Sequence, residues 1–383
     1  MSGPETENEL LTVLADAARD SRQVRIVGGG RQSARWASPD PGAVVLETGG
    51  LPPRVALNPA NLTVRAAAST LLTELQAHLG EHGLWYPPAV GDTGASTVGG
   101  HIAAATAGTR RAGGAVRDWA LGVRAVLADG RTVRAGGEMI KNVAGYDLTR
   151  LFIGSYGTLG VLVEVALRVA PRPECVATVA MPFESAEAAC EAARPLLRWP
   201  QGPVAVEVVP DDDGGWRLLT RWEGEAADVE EAVARFAPGV VATYGDEAEA
   251  IWGARDARLF GLAGSGALHV EAVVPISATA TLWRRWADRA RGISWFGTLQ
   301  PTAGVLHLAL PRGAPVVALG RDTAQAGGHL RFRTLPPWCR DIAPPGDGGA
   351  RLQQAVRAAL DPMGRFTAPG LPLPFATQGG RTA

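Results

Sequence analysis

Lysine is all but missing from this 383-residue chain: Lys141 is the only one among 37 basic side chains. Asparagine occurs four times and tyrosine four times. Asn142, Tyr146 and Tyr156 all fall beside that lysine, in GGEMIKNVAGYDLTRLFIGSYGTLGVLV at 136–163. Lysine is a compact point charge whose pKa shifts on burial, so a position that resists arginine is a packed or ligand-facing one. The three cysteines, Cys175, Cys190 and Cys339, are widely spaced and show no paired ligand spacing. That excludes an iron–sulfur or structural zinc site built by this chain alone and fits reduced, packed thiols of a cytosolic protein. A net charge of -1 leaves no basic footprint for nucleic acid. No run approaches the ~18 apolar residues of a membrane span. The start, MSGPETENEL, is acidic and polar, unlike a signal or transit peptide.

What is present is ordinary globular composition, 46% hydrophobic and 20% charged, enough for roughly two to three domains. Leu10, Leu11, Leu14, Ala17 and Ala18 share one face at helical spacing, so 7–20 reads as an amphipathic helix. A strand at 24–27 runs into Gly28, Gly29 and Gly30. Glycines there turn tightly and bring backbone N–H groups close to an anion. Ser33 stands at the third glycine position of G-x-G-x-x-G, and a Pro- and Gly-broken loop follows where a nicotinamide-binding fold needs a helix. A structural tight turn is the alternative. Strands are expected at 44–46 and 62–67 and a helix at 70–82, with Gly83 as its stop. His78 and His82 sit one turn apart on that helix without a third metal ligand, which makes them surface histidines.

A second glycine-rich segment follows, PPAVGDTGASTVGGHIAAATAGTRRAGG. Gly94, Ser96, Thr97, Gly99 and Gly100 lead into an Ala-rich helical start at His101. Small residues let an extended ligand lie against the backbone, where hydroxyls and free N–H groups meet phosphate oxygens. A flexible linker is the alternative. The segment 123–134 reads as a hairpin turning at Asp129-Gly130, and 160–169 as a buried strand. Pro171-Arg172-Pro173 closes the region. Beyond it lie eight of the eleven tryptophans, as core or as a partner-facing surface. Strands at 176–181, 204–209, 216–222, 268–274 and 305–310 alternate with helices at 184–198, 225–236, 277–291 and 313–326, an α+β layout. Asp211, Asp212 and Asp213 lack the spacing of a calcium loop and read as a solvated turn. A helix at 350–360 precedes DPMGRFTAPG and a polar tail.

The glycine segments, the D-G hairpin, VRD at 116–118, GGE at 136–138, MIKNVAGYDLTRL at 139–151 and GSYGTLGVL at 154–162 together resemble the glycolate oxidase FAD-binding subunit (GlcE type). That subunit lies within the PCMH-type, vanillyl-alcohol oxidase FAD-binding superfamily. The resemblance is strongest over 83–173. It implies a two-part PCMH-type FAD-binding domain at 1–173, an α+β, ferredoxin-like cap domain at 174–335, and a C-terminal segment at 336–383 returning to the FAD domain. By the same resemblance Gly28, Gly29, Gly30, Arg31 and Gln32 wrap the FAD pyrophosphate. The stretch 88–100, with Gly94, Ser96, Thr97, Gly99 and Gly100, supplies a second wall, and Gly160 and Val161 line the adenine end. Some members attach flavin through a histidine in the first loop. Arg31 stands there, which implies non-covalent FAD. Lys141 becomes framework, pairing with Asp147 or lying near a flavin oxygen.

The chain also departs from the pattern. The closing segment of the family contains Asn-Pro-Gly, but here it reads Phe366-Thr367-Ala368-Pro369-Gly370. The paired metal-binding histidines and Glu-His of 2-hydroxy-acid dehydrogenases of this fold are missing after 173. Oxidising a hydroxy acid needs a base and a cation for the carboxylate; His269 or His307 and Arg110 or Arg111 are candidates without motif support. The resemblance implies a subunit that oxidises glycolate to glyoxylate with a larger FAD-linked catalytic subunit and an iron–sulfur subunit. It implies a cytoplasmic setting, with any membrane association supplied by those partners. A self-sufficient FAD-dependent oxidase of another small hydroxy acid or alcohol, and a non-catalytic scaffold, are the alternatives.

Overall fold

The first helix, α1 (Glu7–Arg19), starts where Thr6 accepts the Glu9 N–H at 3.2 Å, and it buries Leu10, Leu14 and Ala17. Glu7 and Glu9 place negative charge on its first turn, where the helix dipole favours it. The computed structural model describes residues 3–30, 42–88, 94–105, 108–110, 113–137, 147–211, 213–236, 240–264, 267–334 and 350–367. The chain divides into two units, Met1–Gly108 with Gly114–Arg172 and Gly348–Leu371, and Thr109–Gly113 with Pro173–Asp347 and Pro372–Ala383.

In the first unit α1 packs on a small parallel pair, β1 (Val24–Val27) and β2 (Val44–Glu47). Then come β3 (Val55–Asn58), β4 (Thr63–Ala67), α2 (Leu72–Gly80), β5 (Leu84–Trp85), α3 (Val98–Ala104) and α4 (Val116–Trp119). They are followed by β6 (Ala120–Val126), β7 (Thr132–Gly136), α5 (Thr149–Phe152), β8 (Val161–Arg168) and β9 (Ala170–Pro171). A five-stranded antiparallel sheet runs in the order β3-β4-β8-β6-β7. Its central strand β8 is buried at six of eight positions, which explains its nearly continuous apolar sequence. The β6–β7 turn is the expected one: Gly130 takes φ +82°, and Asp129 accepts the Arg131 N–H at 3.0 Å.

The second unit is built on β10 (Cys175–Phe183), α6 (Ala186–Ala193), β11 (Ala205–Pro210), β12 (Trp216–Gly224), α7 (Ala226–Ala234), β13 (Val241–Tyr244) and α8 (Gly245–Gly264). It continues through β14 (Leu268–Val273), α9 (Thr279–Arg289), β15 (Phe296–Gln300), β16 (Val305–Leu310), α10 (Val316–Gln325) and β17 (His329–Phe332). The strands form one eight-stranded antiparallel sheet, β13-β10-β12-β11-β15-β16-β14-β17. Three of its strands (β13, β15 and β17) and the 20-residue α8 go beyond the elements expected from sequence. The tryptophans settle mostly inside: Trp222, Trp252, Trp283 and Trp286 are all buried. Asp211 closes its turn by pairing with Arg217 at 2.7 Å; Asp212 lies outside the described residues.

The chain then supplies α11 (Ala350–Leu360) to the first unit. Asp361 is buried and accepts the N–H groups of Arg365 and Phe366, each at 2.8 Å. That turn lays Phe366 parallel to Val24, with Val24 N–H bonded to the Arg365 carbonyl at 2.7 Å and Thr367 N–H to the Val24 carbonyl at 2.9 Å. The DPMGRF motif thus adds a third extended segment beside β1. Residues 368–370 of the closing segment lie outside the described residues.

Candidate functional site

The first glycine loop leaves the end of β1, and the second glycine segment leads into α3. A Cβ built on Gly28 falls 2.5 Å from the Thr97 hydroxyl oxygen, and one built on Gly29 overlaps the Ala95 carbonyl oxygen. The two loops are therefore in backbone contact, at a separation only glycine permits. Gly30 has φ +76° and nothing within 4 Å of a built Cβ, so it faces open space in a conformation that favours glycine.

Thr97 organises the second segment. Its hydroxyl caps α3 by accepting the Gly100 N–H at 3.1 Å. Hydrogen bonds from Val98 N–H to Thr70 (2.9 Å), Gly99 N–H to Ala68 (2.8 Å) and Leu72 N–H to Ser96 (2.8 Å) pin the segment to the β4–α2 connection. A Cβ on Gly99 would come 2.7 Å from that of Ala68, so this glycine serves packing. Gly94 lies exposed at the near end of the segment.

The GSYG turn closes on the same helix. Gly154 N–H bonds the Ile102 carbonyl at 3.1 Å and Tyr156 N–H the Ala103 carbonyl at 2.8 Å, satisfying groups at the C-terminus of α3. Gly157, at φ +75°, packs against Ile26 of β1. Three motifs distant in sequence thus converge around α3 and the end of β1. The two adenine-end candidates sit deeper. Gly160 faces the Val126 carbonyl at 3.0 Å from a built Cβ, and the Val161 side chain is fully buried with Val126 and Phe366. Either would meet a ligand only through its backbone. Arg31, Gln32, Lys141 and Arg111 lie outside the described residues; Asp147 is paired with Arg150 at 2.8 Å.

A flavin dinucleotide needs close backbone approach along its pyrophosphate and few side chains in the way. The cradle supplies glycine backbone at 28–30, the Thr97 hydroxyl at the start of α3, and a buried Ser155 hydroxyl without a partner among the described residues. The residues fit the cofactor. Helix α3 carries one member of a pair that sequence reasoning passed over: His101 of the helix and Tyr86, both buried, with the phenol oxygen 3.4 Å from His101 Nε2. Burial pushes the imidazole down to about 4 and the phenol upward, so both are neutral. Only the GGH junction at the helix start hinted at this.

Arg110 is held in the second unit, donating from Nε to Glu223 at 2.7 Å. Arg221 pairs with the same Glu223 and with Glu249 of α8. As a carboxylate clamp Arg110 is therefore already engaged. His269 and His307 lie buried on β14 and β16 with ring nitrogens 3.3 Å apart. His78 and His82 stack edge-on near the surface, and no metal-holding cluster occurs among the described residues.

Residues 2–136 match the family described as FAD binding domain. Those residues form an FAD-binding domain, and the chain is similar to proteins described as FAD-linked oxidoreductases. It is similar to glycolate oxidase subunit GlcE of Escherichia coli (37% identical over 179 residues, 45% of this chain and 49% of that one). It is also similar to glycolate oxidase subunit GlcD of Bacillus subtilis (31% over 195 residues, 51% and 42%) and to D-lactate dehydrogenase of Archaeoglobus fulgidus (34% over 235 residues, 58% and 51%). The chain spans about half the length of these curated relatives. Two solved structures of alkyldihydroxyacetonephosphate synthase share the fold, with TM-scores of 0.67 and 0.68 at 15% and 17% identity, covering 96% and 94% of this chain and 76% and 74% of those.

Proposed function

We propose that the chain binds FAD non-covalently in the cradle of the first unit and works as a subunit of an assembly that oxidises glycolate or a closely similar 2-hydroxy acid. The observation that carries this reading is the convergence of the two glycine loops and the GSYG turn, together with the FAD binding domain match over 2–136. Bound FAD supplies a two-electron acceptor. The chain's own residues would bind and orient it: the 28–30 backbone would take the pyrophosphate, with the start of α3, capped by the Thr97 hydroxyl, beside it. Arg31 stands where some members of the fold carry the histidine that attaches flavin, which supports a reversible cofactor. The relatives named as glycolate oxidase subunits favour assembly with other chains; the proposed partners, a larger FAD-linked subunit and an iron–sulfur subunit, rest on the family resemblance.

A self-sufficient oxidase is the second reading, favoured by the buried histidine pair and carboxylates of the second unit. The experiment is an anaerobic addition of glycolate or D-lactate to the purified chain, followed by its flavin absorbance. A yellow chain that bleaches only when partner subunits are added supports the first reading. Bleaching by the chain alone supports the second. A colourless chain, unable to take up added FAD, defeats both.

A further inference from the structure

The eight-stranded sheet of the second unit has two unlike faces. Because side chains alternate, the register sorts them. Val208, Leu299, Leu306 and Ala272 are successive neighbours on one face, which is apolar. On the other, Glu207 of β11, Thr298 of β15 and His307 of β16 share a side with Glu271 and His269 of β14. All five are buried, Glu207 and Thr298 fully so. Helix α8 covers this face through Arg255, whose Nε donates to Glu207 Oε1 at 2.8 Å and whose Nη2 donates to the Thr298 hydroxyl at 3.2 Å.

Towards the edges of the sheet the charges are closed pairs. Arg221 is matched by Glu223 and Glu249, and Glu271 by Arg333 at 2.7 Å. At the centre one strong acceptor is left over. Glu207 Oε2 is buried and has no partner among the described residues. A buried carboxylate oxygen without a donor costs about 1–3 kcal/mol or more, so such a group points to a ligand or to a functional role. Burial raises the Glu207 carboxyl above its ordinary range, opposed by the Arg255 charge and by side-chain hydrogen bonding to Thr298 and Arg255. Arg255 is shared between Glu207 and Asp256, so two acidic groups face one cation. A second carboxylate is therefore unwelcome here, whereas a neutral O–H donor fits.

We propose that Glu207, with Thr298 and His307 beside it, forms a binding site for the hydroxyl end of a small hydroxylated molecule, whose O–H donates to Glu207 Oε2. The inference deepens the hydroxy-acid reading and rests on it for the choice of ligand. The occupant is small, since Glu207 is wholly buried under α8, and its carboxylate end stays away from Glu207.

The test compares glycolate and D-lactate with acetate by ligand-observed NMR on the full, flavin-loaded chain kept free of oxygen, with the flavin spectrum recorded on the same samples. A site built for a hydroxyl rejects the analogue lacking it, so glycolate binds at least roughly tenfold tighter than acetate. In Glu207→Gln the donor-only Arg255 holds the amide oxygen and the NH2 replaces Oε2, so the preference for glycolate is lost. Should that variant misfold, Thr298→Val leaves the Glu207–Arg255 pair in place and weakens the same preference. Equal binding of glycolate and acetate, or a preference retained in folded Glu207→Gln and Thr298→Val, overturns the site. Flavin bleaching together with a retained preference leaves the hydroxy-acid reading standing without this site. A preference lost in the variants but no bleaching, alone or with partners, leaves the site standing and removes the redox reading.

Discussion

Replacing Gly29 with alanine tests the cradle at its tightest point. The added methyl lies far inside the 3.0 Å limit of real Cβ contacts with the Ala95 carbonyl oxygen, and that oxygen belongs to backbone tied down by Thr97 and Ser96. One of the two loops must move. Overpacking of this kind costs about 1–3 kcal/mol, and for a domain of this size each kcal/mol lowers the melting temperature by roughly 2–4 °C. Gly30→Ala meets no atom, so its cost is confined to holding alanine at φ +76°, about 1–2 kcal/mol. The assay is differential scanning fluorimetry of apo and FAD-loaded protein together with a flavin titration. Gly29→Ala is expected to lower the apo melting temperature and also to weaken FAD binding by roughly tenfold or more, the equivalent of ~1.4 kcal/mol. Gly30→Ala is expected to show the smaller apo shift. If Gly29→Ala keeps the wild-type apo melting temperature while losing FAD, the glycine faces the ligand rather than the second loop and the loop-contact argument fails. Unchanged flavin affinity would remove the loop from the cofactor site altogether.

Other consequences are equally direct. His101 titrates near 6.5 when unfolded and at about 4 when folded, so its contribution is complete above pH 6.5 and fades as pH falls towards 4. The loss amounts to about 3 kcal/mol, visible as a steep fall in urea midpoint that His101→Gln flattens. Asp361→Ala abandons two backbone N–H groups, one on fully buried Phe366. It should cost about 2 kcal/mol and speed hydrogen exchange at Val24 and Thr367, whereas unchanged protection there would show that β1 does not depend on the turn. Arg110→Met removes one of the two arginines that pair with Glu223 and Glu249. A loss of about 1–3 kcal/mol in the unfolding of the second unit is expected, and a neutral result would mean solvent replaces the pair.

Features written in short stretches of chain were legible before the fold was seen. The D-G turn, the strand ahead of Gly28 and the Thr97-capped start of α3 are local chemistry. So are the helices of the second unit with an apolar stripe. Helix α8 was not legible because it lies on a polar sheet face: Arg255 and Asp256 are buried on it, which breaks the stripe that marks a buried helix side. Strand β15 hid for a related reason, since Thr298 and Gln300 are buried without being apolar. The glycines were read as ligand-facing, yet Gly28, Gly29 and Gly99 are small first because protein atoms press on them. Tyr86–His101 and Asp361 are tertiary arrangements that no spacing announces. The lone Lys141, the most conspicuous compositional signal, lies outside the described residues.

The most direct measurement is flavin stoichiometry. The chain, purified alone and reconstituted with excess FAD, should hold about one FAD per chain after gel filtration and release all of it on acid precipitation. Protein that emerges folded but colourless, or flavin that stays with the precipitate, would contradict a reversible FAD site built from the two glycine loops and the GSYG turn.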